Sequence, residues 1–293
     1  MTSLPTRPCA WANLLSRAWG PRFPVDVELI ALEYSKRFPD PIKTIEKAPF
    51  NDFEGALYPL ARSGKWAILY NPEIRSKGRI NFTLAHELGH YLVHRKLNPA
   101  GFECGEARVL GYDKDEARRI IEQEADTFAS YLLMPMDDFR AQIGRNDMSL
   151  DLLGHCADRY EVSMTAAALK WLDITEDCAV LVTAVNGFVL WCWRSKAAKR
   201  QRIFFERGMP LPTASWAANP TLSLTATSAG VRLPQNVWPV SGESREMAIF
   251  ADRYEMTISL VVFEKQSWRG AECDDEPEED VLDRFLSGGQ AAR

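Results

Sequence analysis

Residues 81–94 read NFTLAHELGHYLVH, with His86, His90 and His94 spaced four apart and Glu87 directly after the first. On an α-helix, positions i and i+4 lie about 40° apart around the axis and ~6 Å along it, so the imidazoles of His86 and His90 can converge on one ion. Glu87 stands one step round the axis and can reach a water on that ion without being a ligand. Neutral imidazole is a good zinc donor, and a free carboxylate can accept a proton from zinc-activated water. Phe82, Leu84, Leu88 and Leu92 flank the motif, so the helix is expected to be buried. Whatever fold the chain adopts must enclose this helix and bring at least one more ligand to it.

His94 is not expected to be that ligand. At i+8 on an unbroken helix it stands about 12 Å along the axis from His86, too far for one ion to bridge. A third histidine downstream requires a glycine that breaks the helix after the second, and here Tyr91, Leu92 and Val93 follow His90. His94 reads as a residue behind the ligands or at the helix end, where its charge suits the C-terminal dipole. The fourth histidine, His155, reads as structural. A carboxylate on a second helix is the remaining source, and IIEQEADTFASYLLMP at 120–135 offers Glu122, Glu124 and Asp126. Glu124 shares a helical face with Phe128 and Tyr131, whereas Glu122 lines up with Asp126 on a more polar face. A carboxylate forced inward requires a partner, which zinc would supply. The expected order is Glu124, then Glu122, then Asp126. Two histidines and a glutamate leave a fourth position for water, the catalytic rather than the structural arrangement.

Around these helices the chain reads as α+β. Helical periodicity covers 25–38, and strand character covers Ile42–Ala48, Gly55–Ala61 and WAILYN at 66–71. The motif helix is expected over 81–96, and a second long helix over 114–134, ended by Pro135. Two short helices separated by EVS at 161–163 outline a helix-turn-helix. From 178 onward the pattern is β-rich. CAVLVTAV and FVLWCWR are joined by Asn186-Gly187, a strong hairpin signal, and RIFF, TLSLTAT, EMAIFA and MTISLVVFE continue the strand pattern. The expected organisation is a small α+β domain over 1–145, a helix-turn-helix-like segment over 146–174, a β-rich domain over 175–266 and an acidic disordered tail over 267–293.

Composition sets the setting. Hydrophobic residues make up 46% and charged residues 26%, as in ordinary soluble proteins. Residues 271–280, AECDDEPEED, hold seven acids and no base, so the net charge of −5 becomes +2 once these seven are set aside. Such a run is expected to be solvated. The six cysteines form no CxxC pair and read as free thiols. The first residues lack a continuous apolar stretch, and no later run reaches the ~18–20 apolar residues of a membrane span, so a cytoplasmic location is expected.

FTLAHELGHYLVH, followed by EQEADTFASYLLMP, closely resembles the ImmA/IrrE family of bacterial metallopeptidases. The helix-turn-helix outline and the β-rich C-terminal region resemble its longer, IrrE-like members. The resemblance implies a zincin-like domain with one zinc ion held by His86, His90 and Glu124, and Glu87 as general base. It also implies a protein substrate, a helix-turn-helix repressor of the XRE type cut in response to DNA damage or stress, and a GAF-like sensor fold at the C-terminus. One departure is the stretch of 33 residues between His90 and Glu124, whose GFECGEARVLGYDKDEA reads as an inserted loop at the mouth of the site.

In the chemistry implied, Glu87 takes the proton of zinc-activated water and passes it to the leaving amine. WAILYN, with Trp66, Ile68 and Tyr70, is a candidate edge strand on which substrate could pair. Tyr91 and Tyr131 are the tyrosines nearest in sequence that could stabilise an oxyanion. The alternative is a DNA- or protein-binding regulator with a structural zinc site and no proteolysis, using the helix-turn-helix and the basic stretch Arg194, Lys196, Lys199, Arg200 and Arg202. That stretch reads as a solvated loop. The second helix of the outline, SMTAAALKWLDI, carries only Lys170 as a base, so direct nucleic-acid binding is not favoured.

Overall fold

The computed structural model describes residues 4–49, 53–74, 76–104, 116–219, 221, 226–251 and 256–264. The expected acidic tail and most of the expected inserted loop, 105–115, lie outside the described residues. The described residues fall into two compact units, one within Met1–Gln142 and Asp158–Ser163, the other within Ile143–Ala157 and Met164–Pro277.

The first unit opens with a helix that sequence reading missed, α1 (Pro8–Trp19). Pro8 sits in the first turn, where its missing N–H leaves no helical bond unmade. Next come α2 (Val27–Ser35), capped by the Asp26 side chain on the Leu29 amide, and the strands β1 (Ile42–Lys47), β2 (Gly55–Leu60) and β3 (Lys65–Tyr70). The motif helix α3 (Lys77–Gly89) starts behind Ser76, whose hydroxyl caps the Arg79 amide, and runs into a π-helical turn, His90–His94. A short strand β4 (Phe102–Cys104), the long helix α4 (Glu116–Leu133) and α5 (Met136–Ile143) follow.

The sheet order is β1-β3-β2-β4, with β1 parallel to β3 and the other pairs antiparallel. This overturns the edge-strand expectation for Trp66, Ile68 and Tyr70. Both sides of β3 are already hydrogen-bonded, to β1 and β2, so no added strand can pair with it; Ile68 stands opposite Ile45 on one side and Leu57 on the other. The edges are β1 and β4. Trp66 and Ile68 serve the core instead, with Leu57, Leu84 and Leu88.

In the second unit, α6 (Leu150–Tyr160) and α7 (Met164–Ile174) are the two short helices of the expected outline, although the last turn of α6 and the break belong to the first unit. The sheet order is β6-β5-β9-β8-β7, antiparallel throughout: β5 (Cys178–Val185), β6 (Phe188–Arg194), β7 (Val231–Leu233), β8 (Ser244–Ala251) and β9 (Met256–Phe263). Asn186 and Gly187 turn the first hairpin with φ of 51° and 78°, as a two-residue type I′ turn requires. RIFF forms no strand, and the basic stretch is not a loop. Ser195 caps a short helix, α8 (Lys196–Arg200), which buries Ala197 and Ala198, after which Ile203 and Phe205 enter the core as irregular chain.

Glu246 on β8 is fully buried and accepts hydrogen bonds from the backbone amides of Trp216 (2.7 Å) and Ala217 (3.2 Å) and from the Ser259 hydroxyl (2.5 Å). It ties the long β6–β7 connection to the sheet. Among the described residues no helix is long and apolar enough to cross a membrane. Removing the carboxylate leaves buried amides without their acceptor, at about 1–3 kcal/mol each. Glu246→Ala is therefore expected to lower stability by about 2–4 kcal/mol in urea denaturation followed by tryptophan fluorescence. An unchanged midpoint would show that these bonds are dispensable.

Candidate metal centre

α3 and α4 lie side by side because Gly89 presents no side chain. A Cβ at this position would stand 3.0 Å from Phe128 Cδ1 and 3.3 Å from the Ala125 Cα. Along α4 the buried positions are 122, 125, 128, 129, 132 and 133, a stripe at helical spacing. Glu122 begins that stripe. It is 7% exposed and turned toward the motif helix.

Three donors meet there. The Nε2 atoms of His86 and His90 are 2.8 Å apart, Glu122 Oε2 is 3.3 Å from the first, and Glu122 Oε1 is 3.4 Å from the second. Among the described residues this is the group able to hold a metal ion. Glu124 is not in it. Its side chain is 43% exposed, and its Oε2 meets His94 Nε2 at 2.9 Å. The expectation for Glu124 is thus corrected to Glu122. Alignment with Phe128 was a poor guide, because Glu124 sits at the border of the buried stripe while Glu122 lies on its line. Asp126 is also at the site, with Oδ1 2.9 Å from His86 Nδ1.

The partners around the rings dictate where their protons sit. A carboxylate at His86 Nδ1 holds the proton on that nitrogen, and the carboxylate at His94 Nε2 does the same there. His94 Nδ1 is then an acceptor, and His90 Nδ1, 3.1 Å away, donates to it. Both Nε2 atoms of His86 and His90 are left as bare lone pairs, facing each other and an acidic carboxylate. Burial, joined by the neighbouring His86 ring, pushes His90 down to about 3, which keeps the imidazole neutral at ordinary pH. Burial lowers His94 as well. For Glu122 burial works against the charge, but hydrogen bonding and attraction to positive charge on the His86 and His90 side outweigh it and hold the carboxyl well below the usual carboxylate range.

Lone pairs in such proximity repel one another unless a cation lies between them. Ligands at about 2.0–2.1 Å from a tetrahedral zinc ion stand roughly 3.3 Å from each other, close to the separations here. The donor set therefore fits zinc.

Glu87 is fully buried beside this group. The first residue of β2, Gly55, makes room for it; a Cβ there would stand 2.9 Å from Glu87 Oε1 and 2.4 Å from Thr83 Cγ2. On β4, Phe102 stacks on the His90 ring with centroids 4.4 Å apart and planes 10° from parallel. Sequence reading missed both residues, since neither lies near the motif in the chain. The Tyr91 hydroxyl is not turned to the reacting group; it donates to the Asp40 carbonyl at 3.0 Å. The Asp40 carboxylate in turn receives Arg95 Nε at 2.9 Å, which anchors the end of the π-helical turn.

Residues 42–172, which carry all of these donors, match the peptidase family described as the IrrE N-terminal-like domain. This segment is similar to the IrrE N-terminal-like domain. Its motif helix packed on a small mixed sheet fits a zincin-like α+β fold. No curated protein matches the chain. Among solved structures the fold is similar to a Mycobacterium tuberculosis transcriptional regulator, at 14% identity and a TM-score of 0.52, over 87% of this chain and 76% of that one. At that identity the likeness speaks for the fold alone.

In this protein, Glu122→Gln is expected to abolish stoichiometric zinc binding. Glu124→Gln is expected to reach one zinc per chain when metal is in excess. Metal analysis of the purified proteins after equilibrium dialysis reads both, and the reverse outcome would restore Glu124 as the ligand.

Proposed function

We propose that the protein is a zinc-dependent endopeptidase in which His86, His90 and Glu122 bind the ion and Glu87 is the general base. The observation that carries this reading is the convergence of His86 Nε2, His90 Nε2 and the Glu122 carboxylate beside the fully buried Glu87. When bound, zinc supplies Lewis acidity, which activates water and polarises a carbonyl. Glu87 stands next to the ligands on the same helix, placed to take a proton from the attacking water and return it to the leaving amine. Gly55 keeps the carboxylate from being crowded. The edge strand β4, whose Phe102 covers His90, is the strand to which an extended substrate could add by backbone pairing; β3 cannot serve in that role.

For the substrate we propose a helix-turn-helix repressor of the XRE type, cut to derepress stress, DNA-damage or mobile-element genes in the cytoplasm. The resemblance of FTLAHELGHYLVH and EQEADTFASYLLMP to ImmA/IrrE peptidases supports this, and the fold's similarity to a transcriptional regulator fits a place in gene control. The β-rich second unit would act as the sensor.

The test is co-expression with candidate repressors encoded nearby, comparing wild type with Glu87→Gln. The variant is expected to keep one zinc per chain and to lose repressor cleavage by about 100-fold or more, the upper part of the range for removing a positioned proton carrier. A zinc-loaded variant that cleaves like wild type would overturn the general-base assignment. Zinc binding with no cleavage by either protein would favour a regulator with a structural metal site.

A further inference from the structure

His94 is fully buried, and in sequence it is the third of the evenly spaced histidines that the metal does not use. It is engaged on both sides, to His90 Nδ1 at 3.1 Å and to Glu124 Oε2 at 2.9 Å. Resting on the zinc-site reading above, we infer that Glu124 and His94 form an imidazole-bridged positioning relay that fixes the tautomer and orientation of the ligand His90. The chain of bonds is directional. His90 Nδ1 donates to His94 Nδ1, and His94 Nε2 donates to the Glu124 carboxylate, so His90 Nε2 is left as the lone pair facing His86 and Glu122.

The other ligand is oriented in a shorter way. His86 Nδ1 meets the Asp126 carboxylate directly at 2.9 Å. Metal-bound histidines commonly donate their second nitrogen to a carboxylate, which sets the tautomer and raises ligand basicity. On α4 the series Glu122, Glu124 and Asp126 thus divides into one ligand and two outer carboxylates, one for each histidine. The His90 arm is longer by one imidazole, with His94 spanning the interval between His90 Nδ1 and the Glu124 carboxylate. The local backbone serves this span. Residues 90–94 form a π-helical turn, a departure from α-helix frequently found at functional sites. Arg95, held by the Asp40 carboxylate and the Tyr91 carbonyl, clamps its end.

A buried histidine that merely satisfies its own hydrogen bonds would leave the metal unaffected, so the test reads the metal. Zinc affinity is measured by competition with a chromogenic chelator on the full chain, and the visible spectrum is recorded with cobalt(II) in place of zinc. The proteins are wild type, His94→Ala, His94→Asn, Glu124→Gln and the double variant His94→Ala/Glu124→Gln. Loss of an outer partner of this kind typically weakens metal binding by about 10–100-fold, the loss expected for His94→Ala, with an altered cobalt spectrum. In His94→Asn the amide oxygen can replace Nδ1 as acceptor and should recover part of that loss; it also keeps the test available if the alanine variant does not fold. Glu124→Gln is expected to weaken binding in the wild-type background and to add nothing in the His94→Ala background, because its effect passes through His94. Affinities within twofold of wild type for both His94 variants, or additive losses in the double variant, would overturn the relay while leaving the metal site standing. Failure of wild type to bind zinc would overturn the metal site itself and the relay with it.

Discussion

The close approach of α3 and α4 at Gly89 is the contact on which the centre depends. Because no side chain stands at that position, Phe128 and the backbone at Ala125 press against the motif helix, and the first residue of the buried stripe, Glu122, comes level with His86 and His90. Zinc–ligand distances leave little latitude, and a wider helix separation would carry the carboxylate out of reach. The sheet supports this from the other side. Leu57 and Ile68 share the core with Leu84, Ala85 and Leu88, while Gly55 gives Glu87 its space.

Burial then shapes the electrostatics. In a protein interior the effective dielectric is well below that of water, so neutral imidazoles are favoured over charged ones and an ionised carboxylate requires compensation. The outer hydrogen bonds to Asp126 and His94 direct both lone pairs inward, which makes the group a poor neighbourhood for itself and a good one for a dication. Phe102 closes one face of His90. Desolvation, tautomer and geometry therefore act in the same direction.

Much of this was legible in the chain. The i, i+4 histidines with their flanking apolar residues announced a buried helix with two metal-donor side chains on one face, and the acidic cluster at 122–126 announced the helix that packs beside it. Strand runs at 42–48, 55–61 and 66–71, and the Asn186-Gly187 hairpin, emerged within a residue or two, because alternation and turn chemistry are local properties. What failed was relational. Local strand character at WAILYN could not reveal that β1 and β2 would occupy both of its sides. The helix at Pro8–Trp19 went unread, although the first helical turn tolerates Pro8, and RIFF has strand composition but forms no strand.

The amino-acid sequence by itself determined the donor types, the helix that presents them and the candidate carboxylates, since helical periodicity places residues three and four apart on one face regardless of context. Only the tertiary structure decided which carboxylate faces the histidines. Glu122 and Glu124 are two residues and about 200° apart on the helix, and the direction of the core is set by whichever neighbour α4 meets. It likewise decided the place of His94, because the π-helical turn sets that ring between His90 Nδ1 and the Glu124 carboxylate rather than beside Glu122.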